Sequence, residues 1–160
     1  SSLTFEGEDA GDHFGKYIAD IMDVNGDGID DLLVAAPDAD SVDADGNPKA
    51  DCGKVYLLFG KKNIVKEDPA SGFDFVDYDD DDTADGVWSG GDLGDTLEGA
   101  IFVGASANDN LQAVAGAGDV DGDGIGDFLL GSPGADVSDL RTDAGKAYLI
   151  LGRETPIEEE

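Results

Sequence analysis

Two stretches of this chain repeat each other without a gap. Residues 23–40 read Asp-Val-Asn-Gly-Asp-Gly-Ile-Asp-Asp-Leu-Leu-Val-Ala-Ala-Pro-Asp-Ala-Asp. Residues 119–136 read Asp-Val-Asp-Gly-Asp-Gly-Ile-Gly-Asp-Phe-Leu-Leu-Gly-Ser-Pro-Gly-Ala-Asp. Such a repeat constrains the fold more than any bulk property, because each unit must bury its apolar face against a neighbour. The copies extend in both directions. Downstream, Gly53-Lys54-Val55-Tyr56-Leu57-Leu58-Phe59-Gly60 matches Gly145-Lys146-Ala147-Tyr148-Leu149-Ile150-Leu151-Gly152. Upstream, Phe5, Gly7, Asp12 and Phe14 match Phe102, Gly104, Asp109 and Leu111. Repeat one therefore runs from about 3 to 60 and repeat two from about 100 to 152. The first copy carries extra residues in a polar loop near 41–52.

Within each copy the apolar residues come in short bursts bounded by Gly and Asp, the pattern of buried strands. Strands are expected at Leu32–Ala36 and Lys54–Phe59, and again at Phe128–Ser132 and Lys146–Leu151. Pro37 and Pro133 close the middle strands, since proline cannot donate to a ladder. No helical period of useful length is present, and the expected fold is all-β within a single domain, 1–160. Between the copies lies an irregular acidic insert, 61–99. Its Phe73-Asp74-Phe75-Val76-Asp77-Tyr78 alternates with a period of two and is read as an outer strand of the first repeat. The acidic run Asp79–Asp82 is read as a solvated loop.

The segment between the upstream match and the middle strand has the spacing D-x-[DN]-x-D-G-x-x-D. A hard cation such as Ca²⁺ takes six to eight oxygens at about 2.3–2.6 Å, and a loop that wraps one point supplies them. Glycine at position 6 allows the sharp turn, and the residue at position 7 turns its carbonyl inward. The first loop nominates Asp23, Asn25, Asp27, the carbonyl of Ile29, and Asp31. The second nominates Asp119, Asp121, Asp123, the carbonyl of Ile125, and Asp127. Two Ca²⁺ per chain are expected, with Mg²⁺ disfavoured because it demands a tighter octahedron and keeps its waters. Asp30, at position 8 of the first loop, is read as solvent-facing. The second loop offers four carboxylates where the first offers three and an amide, so the second is expected to bind more tightly. Carboxylates crowded into one loop repel until a cation neutralises them, which couples binding to folding.

Other loops with this spacing belong to different folds. An EF-hand carries a bidentate Glu at position 12 between two helices, whereas position 12 here is Val34 or Leu130. A dockerin loop continues into a helix, and these loops continue into strands that end at proline. What the arrangement resembles is the FG-GAP repeat of integrin α-subunit β-propellers. Phe14-Gly15 stands for the Phe-Gly part; Ala35-Ala36-Pro37 and Gly131-Ser132-Pro133 stand for Gly-Ala-Pro. The Asp-rich loop lies between them, and a Gly-Lys-x-Tyr strand follows. The second copy departs from the pattern with Leu111-Gln112 in place of Phe-Gly. The resemblance implies two four-stranded antiparallel propeller blades, each holding calcium in a loop between strands. It also implies an extracellular or cell-surface setting and a role in adhesion, recognition or structure.

The charge is the most unusual bulk property: 38 Asp and Glu against 9 Lys and Arg, net −29. Phosphate binding requires clustered Lys and Arg, so nucleic acid is excluded as a partner. Two Ca²⁺ leave most of this charge uncompensated, and the composition resembles that of proteins from salt-loving archaea. No apolar stretch approaches a membrane span. The sequence does not open on Met and shows no signal-peptide pattern, so it is read as a mature or trimmed form. Cys52 has no thiol partner and stands where the second copy has Ala144, a small buried side chain. His13 is read as a surface residue, and no nucleophile-elbow or zinc pattern is present, so the chain is read as a non-enzyme. The alternative is the accessory propeller of a secreted enzyme.

Propellers close with about four to eight blades. Two repeats leave an apolar face at each end. Such a chain is a fragment of a longer propeller, a unit that assembles with copies of itself into a ring or filament, or a monomer capped by residues 61–99. Assembly with itself is the favoured expectation, with another surface protein as the other candidate partner.

Overall fold

The computed structural model describes residues 4–60, 67–68, 73–74, 87–89 and 99–154. The expected all-β architecture is found. In chain order the strands are β1 (Thr4–Glu6), β2 (Tyr17–Asp20), β3 (Leu32–Ala36), β4 (Ser41–Val42), β5 (Pro48–Lys49), β6 (Lys54–Leu58) and β7 (Glu67–Asp68). They continue with β8 (Phe73–Asp74), β9 (Val87–Ser89), β10 (Gly99–Val103), β11 (Ala113–Gly118), β12 (Asp127–Ser132) and β13 (Lys146–Ile150). Among the described residues no helix is long and apolar enough to cross a membrane.

Two larger sheets hold the repeats. The first has the order β10-β6-β3-β2 and is antiparallel throughout. The second, β11-β12-β13, is antiparallel and has three strands among the described residues. β4 and β5 form a hairpin in the polar loop that is longer in the first repeat.

The fourth strand of the first sheet differs from expectation. It is β10, with Phe102 opposite Val55 and Ile101 opposite Tyr56. Of the 73–78 segment, Phe73 and Asp74 pair as β8 with β7; residues 75–78 lie outside the described residues, as does the run Asp79–Asp82. The alternation at 73–78 fits any half-exposed strand. The segment 100–103, read as the start of repeat two, instead ends the first sheet.

The alternation of β3 and β6 sends side chains to both faces of the first sheet, and both faces are buried. One face, with Leu33, Ala35, Val55 and Leu57, packs against Phe128 and Leu130 of the second sheet. Phe102 meets Phe128 there edge-to-face at 5.7 Å between ring centroids. The other face, with Val34, Ala36, Tyr56 and Leu58, is covered by Phe5 and Phe14. Burial, and then the nearby charge of Glu8, push the Tyr56 hydroxyl well above the ordinary tyrosine range. Cys52 is buried, as read from Ala144; its thiol donates to the Ala39 carbonyl at 3.5 Å, and burial raises its pKa.

The repeat extends to backbone strain. His13 and Asn110, and likewise Asp51 and Asp143, occupy matching positions of the two copies with positive φ between 49° and 54°. His13 is exposed, as expected, and its Nδ1 lies 2.7 Å from Asp38 Oδ2.

Candidate metal centre

Each Asp-rich loop connects the first and second strands of its sheet, between β2 and β3 and between β11 and β12. The two loops fold alike because the same side chains accept the same backbone donors. In the first, Asp23 Oδ1 accepts from the N–H groups of Gly26 (2.7 Å) and Asp27 (3.1 Å), and Oδ2 from Gly28 (2.7 Å). In the second, Asp119 accepts from Gly122 (2.6 Å), Asp123 (3.1 Å) and Gly124 (2.9 Å). These carboxylates curl the loop round themselves, the use of Asp in tight turns. Gly28 and Gly124 adopt φ of 85° and 93°, as the spacing required, and Gly26 and Gly122 adopt 78° and 84°.

The last aspartate of each loop is the best-buried group of the site. Asp31 is 0% and Asp127 1% exposed. Asp31 accepts from Val24 N–H and Gly60 N–H, both at 2.8 Å. Asp127 accepts from Val120 N–H at 2.7 Å and Gly152 N–H at 2.9 Å. Burial pushes Asp31 up to about 6, against these hydrogen bonds and with the help of the charges on Asp27 and Asp23. Among the described residues the ion pairs are His13–Asp38, Lys16–Asp38 and Lys54–Glu8. None neutralises Asp31 or Asp127. A buried carboxylate that keeps unused lone pairs and lacks a cationic side chain fits a bound cation.

The loops gather their nominated ligands unequally. Asp119, Asp121 and Asp127 each bring a carboxylate oxygen to within 4.8 Å of the others, the one such acidic group among the described residues. Asp123 stands outside it and accepts from Ile125 N–H at 2.9 Å. In the first loop the equivalent of Asp121 is Asn25, whose Oδ1 accepts from Asp27 N–H at 2.9 Å. Asp27 likewise accepts from Ile29 N–H at 2.8 Å. Asp30 is exposed, as read from the sequence. The donor set is all oxygen, which suits a hard divalent cation and disfavours soft metals.

Three glycines matter here that the loop spacing did not nominate. A Cβ on Gly60 would lie 2.4 Å from the Asp30 carbonyl, and one on Gly152 would lie 2.3 Å from that of Gly126. Each is the residue whose N–H reaches the buried aspartate, so the strand end must sit flush on the loop. The signal was present: both glycines stand at the same place in the repeat. Gly126 donates to the Asp23 carbonyl at 2.8 Å, which joins the second loop to the first. A Cβ there would meet the carbonyls of Ile21 and Asp23 at 2.9 and 3.1 Å.

Comparison with known proteins converges on the same segments. The FG-GAP repeat family model matches residues 20–58 and 110–150, the stretches that carry both loops and the strands after them. Integrin alpha-PS2 of Drosophila melanogaster is 34% identical over 131 residues, covering 79% of this chain and 7% of that protein. Phosphatidylinositol-glycan-specific phospholipase D of Dictyostelium discoideum is 29% identical over 149 residues, 93% of this chain and 13% of the relative. Integrin alpha-8 of Mus musculus is 38% identical over 65 residues, 41% of this chain and 6% of its own length. The chain thus spans a small part of each of these relatives. With its repeated loops and antiparallel sheets, it belongs to the FG-GAP repeat family and is built of propeller-type blades.

Proposed function

We propose that this chain is a calcium-binding, non-enzymatic module for adhesion, recognition or assembly outside the cell. The observation that carries the reading is the pair of buried aspartates, Asp31 and Asp127, each at the closing end of an all-oxygen loop and, among the described residues, each without a cationic side chain in an ion pair with it. Ca²⁺ bound by the two loops would supply that charge and hold the blade's first turn in place. Calcium at the millimolar levels outside cells suits such sites. The ligands are Asp23, Asn25, Asp27, the Ile29 carbonyl and Asp31 in one loop. In the other they are Asp119, Asp121, Asp123, the Ile125 carbonyl and Asp127.

The similarity to integrin α chains favours a partner that is a protein, either another surface protein or a second copy of this chain. The phospholipase D relative supports a second reading, the accessory propeller of a secreted enzyme. Its match covers 13% of that protein, so its reaction is not carried over.

Calorimetric titration of the metal-stripped chain with Ca²⁺ tests the proposal. Two sites per chain are expected, with one lost in Asp31→Asn and one in Asp127→Asn. Absence of binding in the parent chain, or two intact sites in both variants, would overturn it.

A further inference from the structure

The two loops are copies of one unit that differ at position 8, where the first has the exposed Asp30 and the second the buried Gly126. The fold gives the reason for the difference. Gly126 lies against the first loop, and its N–H donates to the Asp23 carbonyl at 2.8 Å. A Cβ there would stand 2.9 Å from the Ile21 carbonyl, 3.0 Å from the Met22 Cβ and 3.1 Å from the Asp23 carbonyl. Carbon atoms rest at about 3.5–4.0 Å from each other. Position 8 of the second loop therefore has no room for a side chain.

A second contact joins the same two loops. The backbone that leaves β13 serves both sites within two residues. Gly152 N–H donates to Asp127 Oδ1 of the second loop at 2.9 Å. The next N–H, that of Arg153, donates to the Val24 carbonyl of the first loop at 3.0 Å. Val24 gives its own N–H to Asp31 Oδ2 at 2.8 Å. A Cβ on Gly152 would meet the same Val24 carbonyl at 2.9 Å, so the two backbones lie close. Hydrogen bonds and adjoining backbone thus run from one buried aspartate to the other. Val24 is 5% exposed and stands between Asp23 and Asn25, two nominated ligands of the first loop. Gly126 likewise stands between Ile125 and Asp127 of the second. Each loop therefore holds backbone on which the ligands of the other are mounted.

We propose that the two loops bind Ca²⁺ with positive cooperativity, coupled through the backbone joint of Val24, Gly126 and Arg153. The inference rests on the calcium reading above and deepens it. Without a cation, the crowded carboxylates of each loop oppose a single arrangement. Filling one loop fixes the backbone at the joint, so the other loop has less conformational freedom left to lose. Coupling of this kind is reciprocal, and each site raises the affinity of the other by the same factor. Charge acts in the opposite direction. A first cation cancels part of the field of a chain with net charge −29 and lowers the attraction for a second. Charge alone gives a factor below one that rises toward one as salt screens it. The joint gives a factor above one that persists in molar KCl.

The test is a calorimetric cycle on the full chain, titrated with Ca²⁺ alone in molar KCl. The overall two-site association constant of the parent is compared with the product of the one-site constants of Asp27→Ala and Asp123→Ala. The parent is expected to exceed that product about tenfold. Gly126→Ala keeps every ligand but breaks the joint, and in that background the ratio is expected to fall to about one. With Asp30→Ala as the background it is expected to stay as in the parent. In Asp123→Ala, Ca²⁺ in the first loop is also expected to slow amide exchange at Gly126 and Arg153. Where an alanine chain fails to fold in calcium, the cycle is run with Asp27→Asn and Asp123→Asn. Two bound Ca²⁺ with no excess over the product, or an excess that Gly126→Ala leaves unchanged, would overturn the coupling and leave the calcium reading standing. A parent chain that takes up no Ca²⁺ overturns both.

Discussion

Asp31 shows how one residue couples the loop to the fold. Burial raises it to about 6, so between the ordinary carboxylate range and about pH 6 the calcium-free folded chain holds a proton that the unfolded chain has lost. Stability in chelator should therefore fall as pH rises through that window. Calcium requires the ionised form and should flatten or reverse the slope. Urea midpoints from about pH 4 to about pH 6.5, taken as the difference between the parent chain and Asp31→Asn, would show it. A contribution from Asp31 that grows with pH in chelator would contradict the assignment. The residues also separate the two loops. Asp121 joins Asp119 and Asp127 in one cluster, whereas its counterpart is the amide Asn25. Removing position 5 by Asp27→Ala and by Asp123→Ala should leave the tighter site in the former. A higher calcium affinity in Asp123→Ala would reverse the order.

Among elements, the joint between strand end and loop is a close backbone contact. Gly60→Ala and Gly152→Ala each force a methyl into a carbonyl at 2.4 and 2.3 Å and should cost about 1–3 kcal/mol. Because the N–H of each glycine serves the buried aspartate, calcium affinity should fall with stability. Gly126→Ala should do the same, since a Cβ there would meet the Ile21 and Asp23 carbonyls and the Met22 Cβ. By contrast Asp30→Ala, at the same position of the exposed first loop, should stay within about 0.5 kcal/mol. Thermal midpoints with and without calcium would distinguish these cases; equal effects at 126 and 30 would mean that the loops do not bear on each other. Much at this scale was legible in advance. The burst-and-turn pattern named β3, β6, β12 and β13 to within a residue or so, because each is a short apolar run closed by Gly or Pro. The outer strand was not. Period-two alternation marks a strand but says nothing of its partner, so nothing local in 99–103 tells that it joins the first sheet.

At the scale of the whole molecule, the net charge of −29 opposes any compact or assembled state. The Debye length falls from about 10 Å at 0.1 M salt to about 3 Å at 1 M. The thermal midpoint at fixed free calcium should therefore rise with KCl; a midpoint that falls would mean that surface repulsion does not limit stability. The sequence by itself determined the all-β class, the two-copy organisation, the loop residues and the family. All of these are written in local spacing: a turn needs its glycine, and an Asp-rich loop needs its carboxylates at fixed intervals to accept from its own backbone. Only the tertiary structure decided that β10 closes the first sheet, that Gly126 ties one loop to the other, and that equivalent tyrosines are buried in one copy and exposed in the other. Those outcomes depend on which surfaces meet across long separations in the chain, and identical local sequence meets different neighbours in the two copies.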